Sequence, residues 1–218
     1  RFRPAEPGDD LQALRARFGI EADEKVIIAV GGIMSRKGSD ILVEAFARLH
    51  QQRDRTHLLF VGPRQPGQEA HHLAFQNKLD GLVQASGLAQ RIHFVDLTDN
   101  VADYLRAADI FVLASTREGL PNSAIEAMAC GKPVVITPFV GLSDDLGKAG
   151  QEYLLTERNP EALAAIFQQL VDDEAHSAEL AERGRDWIVA NMSLDRSIDL
   201  YAQLYRDVAQ RHAGAGTE

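Results

Sequence analysis

Five short, almost continuously apolar runs constrain this chain more than any other feature. They are Lys25–Val30 (KVIIAV), His57–Val61 (HLLFV), Arg91–Val95 (RIHFV), Asp109–Ala114 (DIFVLA) and Pro133–Ile136 (PVVI), with a shorter sixth candidate at Tyr153–Leu155. A strand with one wet face alternates apolar and polar residues. Runs without alternation belong to strands covered on both faces, as in a parallel sheet. Between the runs lie amphipathic stretches at Ser39–Gln52, Glu69–Ser86, Thr98–Ala108 and Ser123–Cys130; after the last come Pro160–Asp173, Ala175–Asn191 and Leu194–Arg211. In the first stretch Ile41, Leu42, Ala45, Phe46 and Leu49 share one helical face. Strands alternating with helices make βαβ units, whose crossovers are right-handed. The expected fold is therefore α/β, a doubly wound parallel sheet of about six strands flanked by helices.

The 218 residues suffice for one large core, so a single domain over 1–218 is expected, with no internal linker and a frayed tail at Ala213–Glu218. A hydrophobic share of 45% excludes a disordered chain. The net charge of −9 argues against a nucleic-acid binder, which needs a basic face. No apolar run approaches the ~18–20 residues that span a bilayer. Arg1-Phe2-Arg3-Pro4 reads as neither signal nor transit peptide. Cys130, the sole cysteine, excludes an internal disulfide framework and fits a reducing compartment. The expectation is a soluble, intracellular domain.

In a doubly wound sheet ligands bind beyond the carboxyl ends of the strands. That rule selects four loops: Gly31–Ser39, Gly62–Gln68, Asp96–Asn100 and Ser115–Asn122. The first reads Gly31-Gly32-Ile33-Met34-Ser35-Arg36-Lys37-Gly38-Ser39. Its glycines permit close backbone approach, the helix beyond offers unpaired amides to an anion, and Lys37 adds a point charge. It matches neither G-x-x-x-x-G-K-[ST] nor G-x-G-x-x-G, and a tight turn with two solvated cations fits it equally.

The last loop runs Arg117-Glu118-Gly119-Leu120-Pro121-Asn122-Ser123 into a helix bearing Glu126. Gly119 and Pro121 mark a turn, and Asn122 or Ser123 can cap the helix. Two carboxylates beside an anion-ready helix end suit a ligand with both phosphates and hydroxyls. Glu126 has a second reading. Ser123-x-x-Glu126 is a capping box, in which the glutamate serves the cap's own amide. The adjacent His71 and His72 lack metal-ligand spacing, Cys130 reads as a buried small hydrophobe, and Ser115 lacks a nucleophile elbow. No metal is expected.

The string from Glu118 to Val135, Glu-Gly-Leu-Pro-Asn-Ser-Ala-Ile-Glu-Ala-Met-Ala-Cys-Gly-Lys-Pro-Val-Val, resembles the E-x7-E segment and following "EAMA-G-PVV" of group 1 glycosyltransferases, retaining enzymes with the GT-B fold. Val30-Gly31 with Lys37-Gly38 resembles that family's "GR-x4-KG" loop, and Phe60-Val61-Gly62 its "lvG" strand end. Ala107–Leu113 resembles "aaD-v-vl", Met192-Ser193 and Tyr201–Tyr205 its closing segment, and Phe2-Arg3-Pro4 the residues after its interdomain linker. Together and in order these cover nearly the whole chain.

The resemblance implies that this is the C-terminal, Rossmann-like half of such an enzyme, cut at the linker. It would bind a nucleoside-diphosphate sugar, while an N-terminal acceptor-binding domain lies outside the chain. Lys37 would contact the diphosphate, Glu118 the sugar hydroxyls, Gly119, Leu120, Pro121 and Asn122 the phosphates, and Glu126 the ribose. The nucleobase would lie near Phe94–Leu97. A cytoplasmic location is implied, with contact to the membrane face through the missing half left open. One departure stands out: Gly32 occupies the position of the family's arginine, and Arg36 is expected to substitute for it. Glu152, where the family has a glycine, is a loop variation. A sugar-nucleotide epimerase, a phosphorylase of similar fold and a non-catalytic nucleotide-sugar-binding domain are the alternatives.

Overall fold

The computed structural model describes residues 1–64 and 70–214, with side chains as far as residue 210. Six strands, β1 (Lys25–Val30), β2 (Thr56–Val61), β3 (Ile92–Val95), β4 (Ile110–Leu113), β5 (Val134–Ile136) and β6 (Leu154–Leu155), form one sheet in the order β3-β2-β1-β4-β5-β6. Every pairing is parallel. Each expected strand is present to within two residues. The helices are α1 (Leu11–Ala16), α2 (Ser39–His50), α3 (Ala70–Ser86), α4 (Val101–Ala107), α5 (Asn122–Ala129), α6 (Pro160–Asp172), α7 (Glu174–Asn191) and α8 (Leu194–Gly214). Part of the expected loop Gly62–Gln68, and Glu69 at the expected start of α3, lie outside the described residues, as does the tail beyond Gly214.

The unbroken apolar runs are explained by the two covers. Val26, Ile28, Leu59, Val61, Phe111, Leu113, Val134 and Ile136 point into a core closed by α4, α5 and the end of α7. Their neighbours Ile27, Leu58, Phe60, Ile110, Val112 and Val135 point the other way, against α2, α3 and α6. Successive side chains leave opposite faces of a strand, so burial on both faces demands an apolar residue at every position.

Three boundaries depart from expectation. α1 was not anticipated; Asp10 caps it, accepting from the Ala13 amide at 3.1 Å. The stretch expected to begin at Thr98 becomes helical only at Val101, because the Thr98 hydroxyl accepts from the Asn100 amide at 3.1 Å and holds a turn ahead of the helix. The stretch expected to begin at Ser123 is helical from Asn122. Among the described residues no helix is long and apolar enough to cross a membrane.

At the amino ends of β1–β3 lies a buried polar cluster that sequence spacing did not reveal. His57 Nε2 lies 2.9 Å from Glu24 Oε2, His57 Nδ1 lies 2.9 Å from His93 Nε2, and Arg91 pairs with Glu24. Against burial, which would raise it, the Glu21 amide at 2.8 Å, Arg91 and His57 hold the Glu24 carboxyl at about 2, whereas burial depresses His57 and pushes His93 down to about 4. All three shifts are downward, so the unfolded chain binds more protons at acid pH. Stability present above about pH 6.5 is lost as His93 is forced to protonate toward pH 4, and again toward pH 2 as Glu24 does. Urea denaturation across this range is expected to show a fall of about 2 kcal/mol between pH 6.5 and 4. A flat profile there would refute the cluster's contribution.

Candidate functional site

The strand order changes direction between β1 and β4. The loops after these two strands therefore diverge to opposite faces and leave a crevice at the carboxyl edge. After β1 the chain makes a single 3-10 turn, Ser35–Lys37, and enters α2 through Gly38 at φ 72°. Only glycine fits there: the conformation is left-handed, and a Cβ would stand 2.6 Å from the Ala114 carbonyl at the end of β4. That approach brings the two loops together, and four hydrogen bonds fasten them. The Thr116 amide donates to the Arg36 carbonyl at 3.0 Å, Arg36 Nη1 to the Arg117 carbonyl at 2.6 Å, and Arg158 to the carbonyls of Ala114 and Ser35 at 2.8 and 3.1 Å. Arg158 lies in the loop after β6. Nothing in its sequence surroundings marks it for this role.

Across the junction Lys37 Nζ bonds Glu118 Oε1 at 2.6 Å, with only 19% and 11% of the two side chains exposed. Arg36 Nη1 is 3.8 Å from the same carboxylate oxygen. The Lys37 stem lies over Gly31, where a Cβ would be 3.5 Å from Nζ. Glu118 is held from behind, its amide donating to the Val140 carbonyl at 3.2 Å while the Val140 amide donates to Thr116 at 3.0 Å. At Gly32 a Cβ would meet the Met34 methyl, the far end of a flexible side chain, at 2.8 Å.

The expected capping is not made. α5 begins one residue early, at Asn122, with Pro121 at the cap position and no side chain bonded to its first turn. Ser123 is thus inside the helix, and the Ser123–Glu126 capping box cannot close. The amides of Gly119 and Leu120, both exposed, have no partner among the described residues. Glu126 is half-buried and its carboxylate hydrogen-bonds nothing among them; burial pushes its carboxyl up, opposed by Arg1. The structure thus unites Gly31, Arg36, Lys37 and Glu118, and places Glu126 on α5, bonded to none of them.

Beside β1, Phe60 and Phe94 stack at 5.2 Å, and the Arg64 guanidinium lies 4.1 Å over the Phe94 ring. Two roomy cavities lie elsewhere, one of about 420 Å³ beside α1 and α4 and one of about 250 Å³ near Lys25, Asp109 and Lys132. No candidate residue lines either; Arg36 borders a third cavity of about 220 Å³ with Ile33, Met34 and Phe75, and Gly31, Gly32 and Lys37 line a small one of about 20 Å³ at the switch point. Among the described residues no group of three or more His, Cys, Asp or Glu is placed to hold a metal ion.

A parallel sheet of this order, with cations and unpartnered amides at its switch point, defines a doubly wound α/β domain whose crevice is chemically suited to an anion. The family model described as "Glycosyl transferases group 1" matches residues 10–187, and the chain belongs to that family. It is 30% identical over 190 residues to the lipopolysaccharide core biosynthesis glycosyltransferase LpsE of Rhizobium meliloti, covering 87% of this chain and 52% of that protein. The fold is that of Anabaena HepE, solved with UDP and glucose (TM-score 0.81, 22% identity, 96% of this chain and 54% of that one). It is also that of the C-terminal domain of LpcC from Francisella tularensis (TM-score 0.76, 24% identity, 88% and 96%). The chain spans about half the length of the curated relatives it matches.

Proposed function

We propose that this chain is the donor-binding half of a retaining glycosyltransferase, which takes a nucleoside-diphosphate sugar and passes the glycosyl group to an acceptor held by an N-terminal half. The observation that carries the reading is the Lys37–Glu118 pair bridging the switch point beside the unpartnered amides of Gly119 and Leu120. In this reading the amides and Lys37 take the diphosphate, and Glu118 accepts from sugar hydroxyls. Arg36 supplies the cation that Gly32 lacks, since its guanidinium already stands at the mouth of the crevice. Glu126, free of the capping role, accepts from the ribose. The base lies near Phe94–Leu97, against the Arg64–Phe94 stack.

Cleaving the glycosidic bond leaves negative charge on the diphosphate. Fixed cations and amides meet it without reorganising, which lowers the barrier; the reading assigns no metal to this step. The N-terminal half is proposed from the span of the relatives and from α8, where Leu194, Ile198, Tyr201 and Tyr205 recur at helical spacing and are all more than half exposed. A cytoplasmic location belongs to the same proposal.

Calorimetric titration with UDP, GDP and ADP tests it. One nucleotide is expected to bind selectively, and Glu126→Ala to weaken it by roughly tenfold or more, the loss of charge-assisted hydrogen bonds to the ribose. A folded chain that binds none of the three would overturn the reading.

A further inference from the structure

A site read as taking a diphosphate has its best-buried cation already engaged. Lys37 Nζ is 2.6 Å from Glu118 Oε1, while the other carboxylate oxygen of Glu118 has no partner among the described residues. We propose that Glu118 makes the crevice discriminate between the intact sugar nucleotide and the spent nucleoside diphosphate, by holding Lys37 until a sugar hydroxyl takes its place on the carboxylate. The inference rests on the donor-site reading above.

The argument is one of exchange between partners. A bare diphosphate entering the crevice must share the Lys37 ammonium with Glu118, and the carboxylate beside that ammonium repels the phosphate oxygens. Pulling Lys37 away instead leaves a largely buried carboxylate with Arg36 at 3.8 Å as its nearest cation. A sugar nucleotide meets neither penalty. Its hydroxyls donate to the carboxylate, the ammonium turns to the phosphates, and every charged group keeps a partner. Once the sugar has left, the hydroxyl donors leave with it. Glu118 then reclaims Lys37 and the diphosphate is loosened. The same residue thus binds the donor and helps expel the product. Gly31 leaves the stem room to swing, since a Cβ there would be 3.4 Å from Lys37 Cε.

The test is calorimetry on the 218-residue chain and its Glu118→Gln and Glu118→Ala variants, with UDP against UDP-glucose and GDP against GDP-mannose. The parent is expected to prefer the sugar nucleotide. Both variants are expected to bind the bare diphosphate on the order of tenfold more tightly and the sugar nucleotide more weakly, so the preference inverts. A gain in binding cannot come from misfolding. If the parent binds and neither variant binds the diphosphate more tightly, the inference is overturned and the donor site stands. If no nucleotide binds the folded parent, both fall.

Discussion

Lys37→Ala is expected to weaken nucleoside-diphosphate binding by about 100-fold while leaving the fold in place. One charge-assisted hydrogen bond to phosphate is worth roughly 1.5–3 kcal/mol. The loss here exceeds a single bond, because the substitution also leaves the Glu118 carboxylate facing the phosphates with Arg36 3.8 Å away as its remaining cation. Bond and repulsion together amount to about 3 kcal/mol, hence the factor of 100. Stability also falls, because the largely buried Glu118 carboxylate loses its nearest cation and keeps only Arg36 at 3.8 Å, while Lys37 itself closes no core contact. Calorimetry with the preferred nucleotide, beside a melting curve, separates the two effects. A loss below tenfold with an intact fold would remove Lys37 from the diphosphate site.

Gly62→Ala is expected to cost about 3–5 kcal/mol of stability, the largest effect of any single methyl considered. Gly62 follows β2 at φ 143°, and a Cβ there would stand 2.3 Å from the Gly31 carbonyl oxygen and 2.6 Å from its carbon. Both atoms are Gly31 backbone at the end of β1, the strand paired with β2, and the corner is held by Gly31 N to Val61 O at 2.8 Å and Gly62 N to Val95 O at 2.9 Å. Neither can rotate aside. The strand ends must part, and Gly31, over which the Lys37 stem lies, moves with them. Gly81→Ala serves as the opposite control. It adds the same methyl in α3, where a Cβ meets nothing within 4 Å, and is expected to stabilise by roughly 1 kcal/mol. Urea denaturation of the two variants should therefore diverge in sign. A cost below about 1 kcal/mol at Gly62 would mean that the close approach is not what holds this corner.

The sheet was legible because its information is local. Val26 to Val30 are apolar for a reason visible within six positions, and Val26, Ile27 and Ile28 are buried on alternate faces of β1 as that run requires. Lys37, Glu118 and the turn at Gly119–Pro121 were legible as strand-end loops of the right chemistry. Ser123-x-x-Glu126 misled because capping depends on which residue adopts the cap conformation, and α5 begins one residue earlier than the spacing implies. α1 hid in six residues, although Asp10 followed by Leu11 and Leu14 was a usable start signal. Arg158 and the Glu24–His57–His93 cluster were beyond local reading altogether. Their partners lie 123 and 33 to 36 residues away in the chain, and no periodicity records a contact of that separation.

The stitching of the crevice by Arg158 has a thermodynamic corollary. Ser35, Ala114 and Arg158 meet only when the first, fourth and sixth strands are in place, so the crevice cannot form in a fragment or a half-collapsed chain. A ligand held there is linked to the whole cooperative unit and to no smaller part of it. Nucleotide at 100 times its dissociation constant would raise the unfolding free energy of the entire chain by about 2.7 kcal/mol, and amides in the remote acid-sensitive cluster would exchange more slowly by the same factor as those beside the ligand.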